Sequence, residues 1–220
     1  MGRLVASLGA GDGFETVACL DSSNNADGKG IGEACALGPD VAIDFSTASA
    51  FVRNLPQLAA AGLPVVVGTT GWHEEEAGLK RIVAEAGIGV VASPNFSVGV
   101  TLFLEIVERA AELFVQQNDC EAWLHESHHA AKRDAPSGTA LALKAGLERA
   151  GYDGAIDVAC TRAGSIPGTH TVGFDSLFDS VELTHTTRDR TTFARGALDA
   201  ARWIRGKQGW FTMRNVLGLE

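Results

Sequence analysis

The segment HESHHAAKRDAPSGTALAL, residues 125–143, concentrates groups that move protons and hold anions. Three of the chain's six histidines, His125, His128 and His129, fall within it, and Lys132 follows three residues later. Histidine exchanges protons near neutral pH, and lysine adds positive charge. A single histidine is readily explained as packing; three beside a lysine in one loop are harder to explain that way. A metal site would pair His125 with His128 or His129. Against it, adjacent side chains of an extended segment point to opposite faces, and neither an HExxH pair nor a companion cysteine pattern is present. An anion site needs less. Pro136 can take the first position of a helix, so that Ser137, Gly138 and Thr139 offer backbone N–H and hydroxyl donors at its N-terminus. With His128, His129 and Lys132 alongside, the segment suits a small dianionic substrate that has to be protonated.

Such a loop depends on the elements around it. Short β-rich runs at Phe14–Leu20, Val41–Phe45, Pro64–Gly68 and Gly89–Ala92 alternate with helical stretches at Ala48–Ala61 and His73–Ala86. This rhythm predicts βαβ units and a parallel sheet. Over Val98–Gln116, the residues Leu102, Phe103, Ile106, Val107, Ala110, Leu113 and Phe114 recur at helical spacing and predict one long amphipathic helix. Beyond it, Cys120–Glu126, Ala155–Cys160, His170–Phe174 and Val181–Thr184 are strand-like, with a helix at Ser137–Ala150 among them. This shift predicts a second, α+β domain over residues 98–190. Thr191–Arg205 is helical again, so residues 1–97 and 191–220 together form the first domain.

That first domain carries ligand signals of its own. GAGDG at Gly9–Gly13 resembles a dinucleotide fingerprint, but helix-forming residues precede it and a strand is expected to follow, the reverse of the order that motif requires. In VVVGTTG, Val65–Gly71, a buried strand ends in glycine and hydroxyl residues, and ligands of open parallel sheets bind at such carboxyl ends. A plain strand-to-helix turn is the alternative. ASPNFSVGV, Ala92–Val100, repeats the arrangement at the next strand end, and two such ends side by side favour a site. Asp21 closes VACLD, where an acidic residue accepts hydrogen bonds from an adenosine ribose. Ser22, not arginine, follows it, which tilts the cofactor toward NADH over NADPH; aspartate is also a common turn former at such a position.

Composition excludes other classes. A net charge of −9 over 220 residues disfavours nucleic acid and anionic membrane surfaces as partners. Apolar runs such as Leu63–Val67 are far too short to span a bilayer, and the start of the chain lacks a signal-peptide pattern. Cys19, Cys35, Cys120 and Cys160 are widely separated, which predicts free, buried thiols and, with no ligand pattern, no metal. A cytoplasmic protein with a small-molecule substrate is the expectation.

The motifs DFST, VGTTGW, SPNFSVGV, ESHHAAKRDAPSGTA, GTHTVGFDS and THTTRDRTTFARGALDAARWI, in this order, resemble the dihydrodipicolinate reductase family over essentially the whole chain. The resemblance implies a Rossmann-type nucleotide domain, completed by the C-terminal segment, around an inserted substrate and tetramerisation domain. It further implies reduction of a cyclic dicarboxylate, 4-hydroxy-tetrahydrodipicolinate, with NADH or NADPH in lysine biosynthesis through diaminopimelate. By similarity, His128 is the proton donor and acceptor, and Lys132 is the second proton donor. His129, Ser137, Gly138 and Thr139 match substrate-binding positions, with Arg190 near that pocket. Asp21, Gly68, Thr69, Thr70, Ser93, Pro94, Asn95 and Phe96 match cofactor contacts. Family members begin with a strand and a Gly-rich loop ending in Gly-Arg-Met-Gly. MGRL resembles the tail of that loop, so the first, central strand is expected to be missing, with the edges of its neighbours bared. The compact TRAGSIPGTH before His170 is a second departure and bears on the subunit interface. Two rival functions are a truncated, non-catalytic dinucleotide- or dicarboxylate-binding protein and a metal-dependent hydrolase using the histidine cluster.

Overall fold

A computed structural model of the chain describes residues 1–117, 119–152 and 156–219. The chain divides into two compact units, residues 1–98 with 191–220, and residues 99–190.

In the first unit the strands β1 (Ala42–Asp44), β2 (Val65–Val67), β3 (Gly89–Ala92) and β8 (Gly209–Phe211) pair in parallel in that order. Val65, Val66 and Val67 are all fully buried, as a strand covered on both faces requires. Their alternation sends Val65 and Val67, with Val90, toward helices α3 (Ala48–Ala60) and α4 (Glu76–Ala86), where Phe51, Leu55, Leu79 and Val83 complete the core. Val66 and Val91 face the opposite way, toward α7 (Thr191–Ile204), packing with Ala197, Leu198, Ala201 and Ile204. Val5 of α1 (Gly2–Gly9) joins that second core. Helices on both faces of a parallel sheet make this a doubly wound α/β unit. A short helix α2 (Ile31–Ala36) precedes β1, and α8 (Met213–Val216), capped by Thr212, follows β8.

Phe14–Leu20 is the main correction to the sequence reading: no strand forms there, and residues 15–20 are exposed, so Cys19, like Cys160, is a free thiol at the surface and not a buried one. An extended segment needs a neighbour for its backbone N–H and C=O groups, and none of the described strands pairs with it. GAGDG accordingly ends α1 through a 3-10 turn, with Gly13 at φ +78°, and leads into irregular chain.

In the second unit β4 (Glu121–His128) pairs in parallel with β5 (Asp157–Arg162) and antiparallel with β6 (Thr169–Asp175), which pairs with β7 (Ser180–Thr186). The expected start of β5 at Ala155 lies outside the described residues. One face of this mixed sheet is covered by α5 (Val98–Phe114) and α6 (Gly138–Arg149), with Phe103, Val107, Leu143, Leu147, Leu124, Val172 and Phe174 in the core. α6 begins one residue later than expected. Ser137 is its N-cap, accepting the Ala140 N–H at 3.2 Å, so Pro136 stands outside the helix instead of at its first position.

Candidate active site

Along β4, Ala122, Leu124, Glu126 and His128 are buried, while Glu121 and His125 are exposed. The first two of the buried set belong to the hydrophobic core. The alternation then carries a carboxylate and an imidazole into the same interior face, and Glu126 is 0% exposed. Register supplies their partners: His170 of β6 stands opposite Glu126, and Arg162 of β5 opposite His128.

A carboxylate taken wholly out of water has to be paired, and Glu126 is. Its Oε1 accepts from Arg162 Nη2 at 2.6 Å and from the Ser137 backbone N–H at 3.0 Å. Its Oε2 lies 3.0 Å from His128 Nδ1 and 3.5 Å from His170 Nε2. Burial alone would raise this carboxyl; the Ser137 and Arg162 contacts outweigh it and hold the pKa at about 2. Burial pushes His128 below the usual imidazole value, with Glu126 pulling it back up and Lys132 adding to the depression. His170, more deeply enclosed and beside His128, is pushed down to about 4. Its Nε2 is also 3.0 Å from Ser137 Oγ.

The loop after β4 is tied to this cluster. Arg162 Nη2 reaches the Asp134 carbonyl at 2.6 Å, and Lys132 Nζ donates to both Asp134 carboxylate oxygens at 2.8 Å. His129, just past the end of β4, is exposed where His128 is buried. At the start of α6, Gly138 is exposed and Thr139 half-buried, whereas Ser137 is buried with its N–H given to Glu126. Arg190 stands exposed just before α7, outside this network. His125 points outward, 3.0 Å from Thr161 Oγ1, so it shares no ligand position with His128 or His129. The potential metal-ligand group among the described residues is instead Glu126, His128 and His170, whose ligand atoms lie within 4.8 Å of one another. Arg162 already supplies the positive charge that this carboxylate calls for.

Glu126, Arg162, Asp134 and His170 received no role from the sequence. The signal for Glu126 was present: it stands two residues before His128 in the phase of Ala122 and Leu124. Arg162 and His170 join through strand register, which a single sequence does not reveal.

In the first unit, the carboxyl ends of β2 and β3 are neighbours, with Val67 beside Ala92 and the Ser93 N–H donating to the Val67 carbonyl at 3.1 Å. Thr69 Oγ1 donates to Asp44 Oδ1 at 3.2 Å, and the Trp72 indole N–H to the Thr69 carbonyl, so the GTTG turn is held from two sides. Thr70 is exposed and Gly71 has φ +89°. Gly68 has a packing reason beside any ligand role: a Cβ there would lie 2.1 Å from the Phe45 ring. Ser93 Oγ donates to the Asn95 carbonyl at 2.6 Å, Phe96 is 1% exposed, and Pro94 is exposed at the tip. Asp21 is exposed; its Oδ1 accepts from the Ser23 N–H at 2.8 Å and the Ser23 hydroxyl at 2.5 Å, which lower its pKa. It forms a turn at the end of a segment that is not a strand.

Residues 1–96 match the family model for the N-terminal part of dihydrodipicolinate reductase, and residues 99–217 match the model for its C-terminal part. The chain belongs to the dihydrodipicolinate reductase family. Curated relatives named 4-hydroxy-tetrahydrodipicolinate reductase include one from Thiobacillus denitrificans, 38% identical, covering 100% of this chain and 95% of the relative. Another, from Archaeoglobus fulgidus, is 37% identical over 99% of this chain and 95% of its own length. A solved dihydrodipicolinate reductase from Paenisporosarcina sp. TG-14, with dipicolinate bound, superposes with a TM-score of 0.69 at 21% identity, over 80% of this chain and 73% of that one. This likeness shows the reductase fold, a Rossmann-type domain with an inserted domain.

Proposed function

We propose that the chain is a 4-hydroxy-tetrahydrodipicolinate reductase, an NAD(P)H-dependent oxidoreductase of lysine biosynthesis through diaminopimelate. The observation that carries this reading is identity of 38% over the full chain to a curated reductase, and the proton-handling cluster around His128 fits its chemistry. Loss of water from the 4-hydroxy ring leaves a conjugated imine, and its reduction requires one hydride and one proton. When bound, the reduced nicotinamide supplies the hydride. His128 and Lys132 are the groups placed to deliver and take up protons, and their charge offsets what builds on the ring. His129, Gly138, Thr139 and Arg190 bind the two carboxylates, with Ser137 setting the start of α6.

The residues fit a dinucleotide at the paired carboxyl ends of β2 and β3. The Cβ built at Gly71 meets nothing closer than Ala48 at 3.7 Å, and Thr70 and Pro94 are exposed, so backbone there is open to a ligand. Gly68, Thr69, Thr70, Ser93, Pro94, Asn95 and Phe96 would hold it, with Asp21 on the adenosine ribose and NADH preferred. Among the described residues no helix is long and apolar enough to cross a membrane; a cytoplasmic homotetramer is part of the proposal. The test is oxidation of NADH and NADPH by the purified chain with enzymatically generated 4-hydroxy-tetrahydrodipicolinate. Turnover with tetrahydrodipicolinate as product supports the reading. Binding of cofactor and dipicolinate without turnover would replace it with a non-catalytic binding protein.

A further inference from the structure

We propose that Glu126 is the positioning residue for His128: its buried carboxylate keeps a proton on Nδ1 of the imidazole, so that Nε2 is the ring atom that exchanges protons with the substrate. The inference rests on the reading of His128 as a proton-transfer group. The two oxygens of Glu126 face different surroundings. Oε1 is the structural anchor, fixed by the Arg162 guanidinium at 2.6 Å and the Ser137 N–H at 3.0 Å. Oε2 faces the imidazoles, 3.0 Å from His128 Nδ1 and 3.5 Å from His170 Nε2; Oε2 and Nδ1 are both buried and neither has a hydrogen-bond partner elsewhere, so the two meet by distance and charge, each the other's nearest polar neighbour. His170 has Ser137 Oγ at 3.0 Å as a second neighbour, whereas Glu126 is the acid paired with His128.

An acceptor that carries full charge and sits beside Nδ1 stabilises the tautomer with hydrogen on that nitrogen, and stabilises the imidazolium once Nε2 is protonated. The other edge of the ring faces a glycine, so no side chain of that residue covers it. Gly168, at φ +128°, lies against it, and a Cβ there would come within 3.2 Å of both Cδ2 and Nε2. The charged and titratable groups facing His128 are Glu126 from its own strand, Arg162 from β5, His170 from β6, and Lys132 and Asp134 from the following loop. Glu126 is the nearest anion among them. Arg162 holds that anion ionised, and by also binding the Asp134 carbonyl it ties the Lys132 loop to the same carboxylate.

The test is Glu126→Gln in the full chain. Glutamine keeps the shape and a carbonyl for Ser137 and Arg162, but turns an N–H donor toward Nδ1 and so reverses the tautomer. We expect kcat to fall about a hundredfold or more, in the range that acid–base catalysis supplies, with KM for the dicarboxylate within about twofold. The limb of the pH–kcat profile that belongs to His128 should move to lower pH, because a negative charge beside it is gone. In 15N imidazole spectra of the wild type, hydrogen should reside on Nδ1 of His128. A folded E126Q with wild-type kcat and an unmoved limb would overturn the inference, as would wild-type spectra showing hydrogen on Nε2 and a bare Nδ1. The spectra decide the matter even if E126Q does not fold. His128→Gln separates the two levels. Full turnover in H128Q removes the role of His128 and this inference with it, whereas an inactive H128Q beside a fully active E126Q removes the positioning role alone.

Discussion

At the scale of single residues, the proposed function separates the groups assigned to proton transfer, His128 and Lys132, from the groups packed around them. Lys132 is partly exposed and its ion pair with Asp134 is at the surface, where such pairs contribute at most about 1 kcal/mol. Lys132→Ala should therefore lower kcat by roughly 10²- to 10⁴-fold while leaving the melting temperature nearly unchanged; steady-state kinetics beside a thermal melt checks both. Full activity in that variant would remove Lys132 from the reaction. Metal chemistry is testable at the same place. Because Arg162 occupies the carboxylate of the Glu126, His128 and His170 group, dialysis against a chelator should leave turnover unchanged, and elemental analysis of the purified chain should find no stoichiometric zinc.

Individual elements set the positions of these residues, and two contacts show how. Gly196 of α7 packs so closely on the Phe96 carbonyl that an added Cβ would fall 1.7 Å from its oxygen. Gly196→Ala must push the helix away from the Ser93–Phe96 loop. The expected cost is about 1–3 kcal/mol from overpacking, with weaker NADH binding by calorimetry; unchanged binding would place that loop outside the cofactor site. Ser137 caps α6 and touches both Glu126 and His170. Ser137→Ala keeps the N–H that Glu126 uses but loses the cap, at about 0.5–2 kcal/mol. A chemical-denaturation series on S137A measures that loss.

For the whole molecule, the buried cluster makes stability depend on acid in a defined direction. The folded pKa of His170, about 4, lies below its ordinary 6.5, so between these values the unfolded chain binds a proton that the folded chain does not. Stability is therefore lost as pH falls from 6.5 toward 4. The folded pKa of Glu126, about 2, lies below its ordinary 4.5, so its contribution is complete above pH 4.5 and disappears as pH falls toward 2. Urea midpoints measured across pH should decline through both windows. His170→Asn should make the upper window shallower, with His128 and His185, whose pKa values burial also lowers, keeping the rest of it, and should leave the lower window; an upper window of unchanged depth would mean that His170 does not titrate there.

The helices and strands of both units were legible in the sequence where a period was backed by burial. Val65–Val67 and Gly89–Ala92 are continuous apolar runs bounded by glycine or proline, and Thr191–Ile204 keeps its small and apolar residues on one face, so local pattern alone determined them. The histidine and lysine segment was equally legible, because its residue types are costly to bury without purpose. Phe14–Leu20 has a strand's composition but not a strand's structure, since pairing depends on a neighbour and not on the segment itself. The same reason explains Glu126. Its place beside His128 follows from alternation along one strand, but its partners arrive from residue 137 on a helix, 162 on a parallel neighbour and 170 on an antiparallel one. The sequence by itself singled out the histidine and lysine segment as the place proposed for chemistry. Tertiary structure alone decided which carboxylate is buried beside His128, because the contacts that satisfy a charge removed from water come from segments far apart in the chain.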